Sequence, residues 1–240
     1  MIATSRPVFR NRFLAGLHDA DYQALAPHLA SQSVPKGRVL IEQDDVPQIV
    51  HFPETAVLSN LLVFSDGATV DTAQVGLEGL SGLAALLAEA SISWRVVVQL
   101  PGLVYALPAS VLRTRIQQSR PFYNRIVRLV HDYQSQAGQN SACNAAHSNT
   151  QRLARWLLTV HDRSRDEALR MTQQDLADVL GLPRTSVTES AMKLKQAGAL
   201  SYARGVIRLN RACLEPLACE CYFIQTRRSR QLDGLLDGLS

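Results

Sequence analysis

The sequence lacks any apolar run close to the about 20 residues that a membrane-spanning helix needs. Its N-terminal arginines are not followed by the apolar stretch of a secretion signal. We therefore expect a cytoplasmic protein without a membrane partner. Cysteine is absent from residues 1–142, and the later cysteines show no evenly spaced disulfide pattern, so reduced thiols are expected. These cysteines are Cys143, Cys213, Cys219 and Cys221.

Motifs of the common enzyme classes are also missing. There is no His-Glu-x-x-His zinc motif, no Ser, His and Asp in a hydrolase order, and no carboxylate pair on a shared face. The glycine-rich segment 76–82 is not followed by the Lys-Ser/Thr pair of a nucleotide P-loop. Histidines such as His51, His131 and His161 occur singly, as structural or surface histidines do. We expect neither enzymatic activity nor a cofactor.

What is present is the composition of a folded protein of two domains. The chain has 240 residues, of which 46% are hydrophobic and 19% charged. Its net charge of +4 lies entirely in residues 151–240, which carry 14 basic and 10 acidic side chains. Such a segment would attract a polyanion, although an excess this small is equally found on ordinary solvated surfaces.

Short β-rich runs broken by turn residues occupy residues 34–107, which predicts an antiparallel barrel or roll. Asp66-Gly67 predicts a hairpin because both residues tolerate a positive φ. An amphipathic helix is predicted before this region, over residues 19–30. The predicted strands are 38–41, 49–52, 57–64, 69–75, 94–100 and 103–107.

The glycine-rich segment 76–82, which leads into a predicted short helix, has two interpretations. Its backbone N–H groups hold a small anionic ligand, or its glycines only let the strands and the helix approach closely. Under the first interpretation, the residues of an effector pocket are Gly76, Glu78, Gly79, Ser81, Gly82 and Ser91.

A long helix is predicted over residues 121–146. Its apolar stripe follows a complete β domain, which favours pairing with the same helix of a second subunit. The alternative is that the stripe packs only on its own β domain. The stripe consists of Ile126, Val127, Leu129, Val130 and Tyr133.

The most specific pattern lies in residues 172–195. Thr172, with Asp175 three residues later, predicts a helix N-terminus, and Gly181 predicts its left-handed end. The spacing of Ala177, Gly181 and Val187 lets two helices cross closely, which defines a helix-turn-helix. The second helix begins near Pro183. Its predicted buried residues are Val187, Ala191 and Leu194.

The polar residues at the start of the second helix are expected to contact base edges, with Arg184 suited to guanine. Thr172 and Gln173 are placed for phosphate contacts. A two-stranded wing over residues 199–209 follows and adds arginines for the flanking phosphates. The predicted DNA-contacting residues are Thr172, Gln173, Arg184, Thr185, Ser186, Thr188, Glu189, Lys193, Arg204 and Arg208.

This order of parts resembles the Crp/Fnr family of bacterial transcription regulators over nearly the whole chain. Residues 176–188 are similar to the family signature "LA..LG..R.SVT", and the similarity continues in Gly198-Ala199-Leu200 and in residues 204–207. A looser match in the β region rests on Gly37, residues 49–53, Asp66-Gly67 and residues 76–79.

The resemblance implies an α+β fold with a cyclic-nucleotide-binding-like β-roll (residues 1–118), a dimerisation helix (119–147) and a winged helix-turn-helix domain (148–240). It also implies a homodimer that binds a palindromic promoter site. The implied partners are double-stranded DNA, RNA polymerase and a small-molecule effector whose identity stays open.

Two departures from the family concern specificity. The usual Arg-Glu-x-x-x-Arg register of the recognition helix is replaced by residues 184–189, with Glu189 at its end, so a changed half-site is expected. The family's phosphate cassette, a Gly-Glu-Leu followed by an Arg-Ser pair, is replaced by residues 79–81 and Ala90-Ser91. Without that arginine, weak or absent cyclic-AMP binding is expected. Arg95 lies nearby, but its strand position favours a surface role.

A third departure concerns the cysteines, because the N-terminal cluster of the family's iron–sulfur regulators is missing. Cys143 and His147 are one helical turn apart, and Cys219 and Cys221 could supply two more soft ligands. A metal or redox site requires all four to converge, whereas buried unligated thiols are the ordinary outcome, so no metal is expected. Two alternative functions remain: a ligand-binding signalling module that acts through protein contacts, and a cysteine-based metal or redox sensor.

Overall fold

The computed structural model of the protein describes residues 6–164 and 168–237. Within these ranges, a β-roll with short helices is followed by a long helix and by a helical part with a small sheet. The strands are β1 (Ala30–Val34), β2 (Val39–Ile41), β3 (Ile49–Pro53), β4 (Val57–Val63), β5 (Thr69–Val75), β6 (Arg95–Leu100), β7 (Gly102–Pro108), β8 (Ala168–Arg170), β9 (Leu200–Ala203) and β10 (Val206–Leu209). The helices are α1 (Arg12–Ala15), α2 (Asp19–Leu25), α3 (Leu83–Ala88), α4 (Ala109–Gln118), α5 (Arg120–Ala146), α6 (Asn149–Ser164), α7 (Gln173–Leu180), α8 (Arg184–Gln196), α9 (Arg211–Leu214) and α10 (Glu220–Asp237).

Two antiparallel sheets form the β-roll. One has the strand order β1-β7-β3 and the other β2-β6-β4-β5. Apolar side chains from both sheets meet between them, among them Val34, Leu58, Val98 and Val104, all buried. The tip between β4 and β5 is formed by Asp66-Gly67, with Gly67 at φ 84°, which confirms the predicted hairpin.

The predicted strands are all present, with ends shifted by at most one residue, but β1 was not predicted. Helix α2 ends at Leu25 and is followed by a 3-10 turn over Ala26–His28, so the predicted helix over residues 19–30 was too long. Pro27 has no N–H to continue the α-helical ladder. Ala30 instead begins β1, whose five residues pair with β7.

The long helix α5 lies largely against its own β-roll. Ile126 and Leu129 are buried, and the Tyr133 hydroxyl donates to the Leu80 carbonyl at 2.8 Å. Tyr123 and Val127 remain exposed, at 38% and 44%. Most of the predicted apolar stripe therefore packs within the chain, as in the alternative interpretation. A smaller part, on the outward side of α5, is exposed to solvent.

The C-terminal part packs on the β-roll as well as on itself. Its core is centred on α6, which buries residues such as Leu153, Leu157 and Leu158 and also contacts Val57 and Leu100 of the β-roll. Helix α10 packs against α5 and α6. No helix in the described part of the chain has the length and apolar character needed to cross a membrane.

Candidate DNA interface

Helix α7 begins and ends at the residues that the sequence indicated. The Thr172 Oγ1 accepts from the Asp175 N–H at 3.1 Å, and the Asp175 carboxylate accepts from the Thr172 N–H at 2.7 Å. This reciprocal pair satisfies two amides that a helix start leaves without partners. Gly181 ends the helix in the left-handed region, at φ 59° and ψ 42°. Helix α8 then begins at Arg184, close to the predicted start.

Helix α8 buries one face and exposes the other. Val187 and Leu194 are buried, as predicted, and Ser190 is buried as well, while Ala191 is only half-buried. Positions 190 and 191 both lie between 187 and 194 on the side of α8 that faces the core. The small Ser190 occupies the position of the two that lies nearer to the core. The exposed residues of the predicted interface on α8 are Arg184, Thr185, Glu189 and Lys193, and the half-buried ones are Ser186 and Thr188.

A side-chain hydrogen bond joins the two helices beside this exposed face. The Thr188 hydroxyl lies 2.9 Å from the Gln173 Oε1 and 2.9 Å from the Arg184 carbonyl oxygen. Gln173 is the first residue of α7, so the bond ties the start of the first helix to the first turns of the second. Arg184, Thr185 and Glu189 are thereby presented to solvent on a braced helix.

The wing is a tight hairpin with arginine at its tip. At the end of the hairpin, Ala203 of β9 pairs with Val206 of β10. The two residues between them, Arg204 and Gly205, turn the chain with φ values of 49° and 75°. Two successive positive φ values are typical of a two-residue hairpin turn. Arg204 and Arg208 are both exposed. A third strand, β8, which was not predicted, pairs with β10 and anchors the hairpin.

The helix-turn-helix also rests on the β-roll, which the sequence analysis missed. Lys36 pairs with the carboxylate of Asp175, and the Thr69 hydroxyl donates to the Asp178 carbonyl at 3.2 Å. At Gly181 an added Cβ would lie 2.9 Å from the Cγ2 of Val70. These contacts join positions more than 100 residues apart, so no local pattern could have indicated them.

The glycine-rich segment 76–82 uses its backbone amides within the chain. The Gly76 N–H donates to Glu78, the Leu80 N–H to the Tyr133 hydroxyl, and the Ser81 N–H to the His51 carbonyl, at 2.9–3.1 Å. The Gly79 N–H bonds the Gly76 carbonyl at 3.2 Å. This arrangement is the one that the close-packing interpretation of the glycines describes.

The remaining predicted pocket residues, Gly82 and Ser91, lie before and after α3. Gly82 adopts φ 73° beside Ile41 directly before α3, and Ser91 is exposed three residues after that helix. Arg95 pairs with Glu42 at 2.7 Å on the surface, which fits the surface role expected for it. The effector pocket stays a prediction.

His51 in this region carries a pH prediction. Burial, with a smaller contribution from Arg38, lowers the pKa of His51 from 6.5 to about 4. The unfolded chain therefore binds a proton below pH 6.5 that the folded chain does not take up until about pH 4. Stability is retained above pH 6.5, and we expect it to fall by up to about 3 kcal/mol as the pH drops to 4.

Urea unfolding at several pH values, followed by circular dichroism, measures this dependence. In His51→Asn the slope between pH 6.5 and 4 should be shallower than in the wild type. The exposed His28 provides the matched control, since His28→Asn should keep the wild-type slope. Equal slopes in all three proteins would contradict the assignment to His51.

The four metal candidates of the sequence analysis converge. The ligand atoms of Cys143, His147, Cys219 and Cys221 all lie within 4.8 Å of one another, and the three cysteines are buried. The four cysteines of the chain are free thiols, as expected. A hydrogen bond with Cys219 lowers the pKa of the Cys143 thiol.

Residues 151–217 match the family model of the Crp-like helix-turn-helix domain. This span contains α7, α8 and the wing, with α6 before them and α9 after. Among curated protein sequences, none matches the chain.

Solved structures share the fold over about four fifths of the chain. FixK2 from Bradyrhizobium japonicum is 19% identical, with a TM-score of 0.68 over 80% of this chain and 98% of its own. The c-di-GMP-responsive global regulator CLP from Xanthomonas campestris is 16% identical, with a TM-score of 0.65 over 80% and 99%. A transcriptional regulator of the CRP family from Thermus thermophilus is 17% identical, with a TM-score of 0.65 over 78% and 96%. At these identities the likeness concerns the fold.

Helix α7 is capped, Gly181 makes the left-handed turn, α8 exposes a polar start, and an arginine lies at the tip of the wing. Together these features define a winged helix-turn-helix domain, the kind of domain that binds DNA. This domain follows a β-roll and a long helix, and it matches the Crp-like model. Residues 151–217 therefore form a Crp-like helix-turn-helix domain, and the described chain shares its fold with solved CRP-family regulators.

Proposed function

We propose that the chain acts as a homodimer that binds a palindromic promoter site and places the start of each α8 in a major groove. In this proposal residues 1–118 form the sensor domain, residues 119–147 the dimerisation helix and residues 148–240 the DNA-binding domain. The start of the first domain and the end of the last lie outside the described residues. The protein acts in the cytoplasm by binding rather than catalysis, with RNA polymerase as a partner.

One observation carries the proposal: the first turns of α8 expose Arg184, Thr185 and Glu189 while Thr188 is tied to Gln173 of α7. A rigid helix start with exposed polar side chains suits base reading in the major groove, where arginine recognises guanine and glutamate accepts from cytosine. The change at Glu189 supports a half-site that differs from the usual one of the family.

The other predicted residues are assigned to phosphate contacts. Thr172 and Gln173 stand at the N-terminus of α7, where backbone dipoles favour an anion. Arg204 and Arg208 are exposed on the wing, and Lys193 is exposed on α8. Such contacts fix the position of the protein on DNA without reading its sequence.

Dimerisation is proposed through the outward side of α5. Tyr123 and Val127 are four residues apart on this helix and are both exposed, so they form one apolar side. A dimer places two recognition helices on one face, which suits half-sites one helical turn apart. Light scattering that gave the mass of a monomer at micromolar concentration would contradict this part of the proposal.

We also propose that cyclic AMP does not control the protein. The sequence has Ala90-Ser91 where the family has its phosphate-binding arginine and serine. Arg95, the nearby alternative, is paired with Glu42 at 2.7 Å on the surface. A cyclic phosphate would thus lack the charge-assisted contact on which its binding depends.

Replacing Arg184 by alanine should weaken binding to the preferred DNA site by about 10- to 100-fold per half-site, the value of one good arginine–guanine pair. The preference at one base pair of each half-site should disappear. The preferred site is first selected from random duplexes with the wild-type protein, and affinities are then measured by fluorescence anisotropy at a fixed salt concentration.

Two further arginine variants serve as controls for this measurement. Arg204→Ala should weaken binding to all duplexes alike and reduce the salt dependence, because a phosphate contact is lost. Arg10→Ala removes the same charge from an exposed position outside the C-terminal part and should bind like the wild type. Added cyclic AMP should change none of these affinities. Wild-type protein that binds no duplex at low ionic strength would refute the proposed function.

A further inference from the structure

The four converging side chains come from two distant parts of the chain. Cys143 lies in the last turn of α5, and His147 is the residue at which this helix ends. Cys219 and Cys221 stand on either side of Glu220, where α10 begins. Their ligand atoms lie within 4.8 Å of one another although the two pairs are more than 70 residues apart in sequence.

Two of the distances match those around one tetrahedral metal ion, and all the ligand atoms lie within 4.8 Å of one another. Bonds of about 2.3 Å to sulfur and about 2.0 Å to nitrogen place ligand atoms of a zinc tetrahedron about 3.8 Å apart for two sulfurs and about 3.5 Å apart for sulfur and nitrogen. The Sγ atoms of Cys143 and Cys219 are 3.5 Å apart, and the Cys221 Sγ is 3.6 Å from the His147 Nδ1. An iron–sulfur cluster would hold its cysteine sulfurs farther apart, because its irons and sulfides lie between them.

The groups around the four side chains hold them in a binding orientation. The His147 Nε2 lies 3.1 Å from the Glu220 carboxylate, so its proton is held there and the Nδ1 lone pair points to the sulfurs. Gln139 donates from Nε2 to the Cys221 Sγ at 3.0 Å. A histidine bonded to a carboxylate through its second nitrogen is the usual outer arrangement of a zinc site.

Two positive charges lie near the cluster. Arg152 and Arg155, on α6, both interact electrostatically with Cys143. Three thiolates, a neutral imidazole and a divalent ion carry a net charge of −1, which these guanidinium groups offset.

We propose that Cys143, His147, Cys219 and Cys221 bind a single Zn²⁺ ion in a closed tetrahedral site. Three cysteines and one histidine are a donor set that zinc prefers, and four protein ligands leave no position for a substrate. The role is therefore structural: the ion fastens the start of α10 to the end of α5.

The position of the site gives this ion a part in the architecture of the regulator. His147 and Ser148 connect the proposed dimerisation helix to α6, the first helix of the DNA-binding part. One turn earlier on α5, the Asn140 Oδ1 accepts from Arg155 of α6 at 2.7 Å and from Gln225 of α10 at 3.0 Å. Zinc would complete this connection and fix the orientation of the DNA-binding part relative to α5.

Metal analysis of the full-length protein, purified under reducing conditions without chelator, tests the proposal. We expect one zinc per chain, and Co²⁺ in its place should give the visible absorption of a tetrahedral thiolate site. Cys219→Ser should lower the zinc affinity at least tenfold, and Glu220→Gln should lower it about tenfold, the effect expected of an outer hydrogen-bond partner.

Cys213→Ser is the matched control, because Cys213 is half-buried outside the cluster and should leave the zinc content unchanged. His147→Cys should retain zinc, since four thiolates also form such a site. If a variant fails to fold, competition of the wild type with a coloured chelator still gives the affinity. Protein without zinc that fails to bind Co²⁺, protein that contains iron and sulfide, or a metal-free protein with a Cys143–Cys219 disulfide would each overturn the proposal.

Discussion

Replacing Arg163 by methionine is expected to lower the free energy of unfolding by about 3–5 kcal/mol, because it leaves the Glu78 carboxylate buried without its partner. The Arg163 Nε lies 2.7 Å from the Glu78 Oε1, and the two side chains are only 12% and 11% exposed. Arg163 belongs to α6 and Glu78 to the turn after β5. The pair therefore joins the C-terminal part of the chain to the β-roll.

The loss should be recovered when the second charge is removed as well. Glu78→Gln keeps the acceptor for the Gly76 N–H, so Arg163→Met/Glu78→Gln should regain more than half of the lost stability. Urea unfolding at pH 7 gives the three free energies.

An exposed ion pair provides the matched control for this experiment. Arg95 and Glu42 are 36% and 50% exposed, so Arg95→Met should cost less than about 1 kcal/mol. If Arg163→Met lowered the free energy of unfolding as little as Arg95→Met, burial would not determine the contribution of the Arg163–Glu78 pair to stability.

The second large effect is expected at Trp156, where truncation to alanine should cost about 3–5 kcal/mol through the cavity that it leaves. Trp156 is 3% exposed in the core of the C-terminal part. Its Nε1–H donates to the Asp71 Oδ2 of β5 at 3.2 Å. Burial raises the pKa of the Asp71 carboxyl, and this hydrogen bond opposes that rise.

Phenylalanine separates the hydrogen bond from the packing. Trp156→Phe keeps an aromatic ring but leaves the Asp71 carboxylate with one donor fewer, which should cost about 1–3 kcal/mol. Trp94, the second tryptophan of the chain, has no hydrogen-bond partner for its ring nitrogen among the described residues, so Trp94→Phe removes no such bond. Equal losses in the two phenylalanine variants would refute a role for the Asp71 bond.

The local signals of the sequence were confirmed where short-range geometry determines the structure. Thr172 and Asp175 cap each other across three residues, and Gly181 takes the left-handed conformation that ends α7. Asp66 and Gly67 form the predicted hairpin tip. These signals are local, since each is set by the φ preference or hydrogen bond of a few adjacent residues.

Elements that depend on distant partners were missed or misjudged. Strand β1 is mostly polar and partly exposed, so it has no alternating pattern, and it is a strand only because β7 pairs with it. In the apolar stripe of α5, Ile126, Leu129 and Tyr133 pack on the β-roll of the same chain while Val127 stays exposed, so the stripe by itself does not decide whether a dimer forms. An amphipathic face shows that a helix is covered, without showing by what.

The sequence by itself determined the order of the parts, the helix-turn-helix and the residues that it exposes, because helix caps, turns and hydrophobic periodicity act over a few neighbouring residues. Only the tertiary structure decided how α6 is joined to the β-roll through Glu78 and Asp71, and that Cys143 and His147 meet Cys219 and Cys221. Contacts between residues 70 or more positions apart depend on the packing of whole elements, which no local pattern encodes.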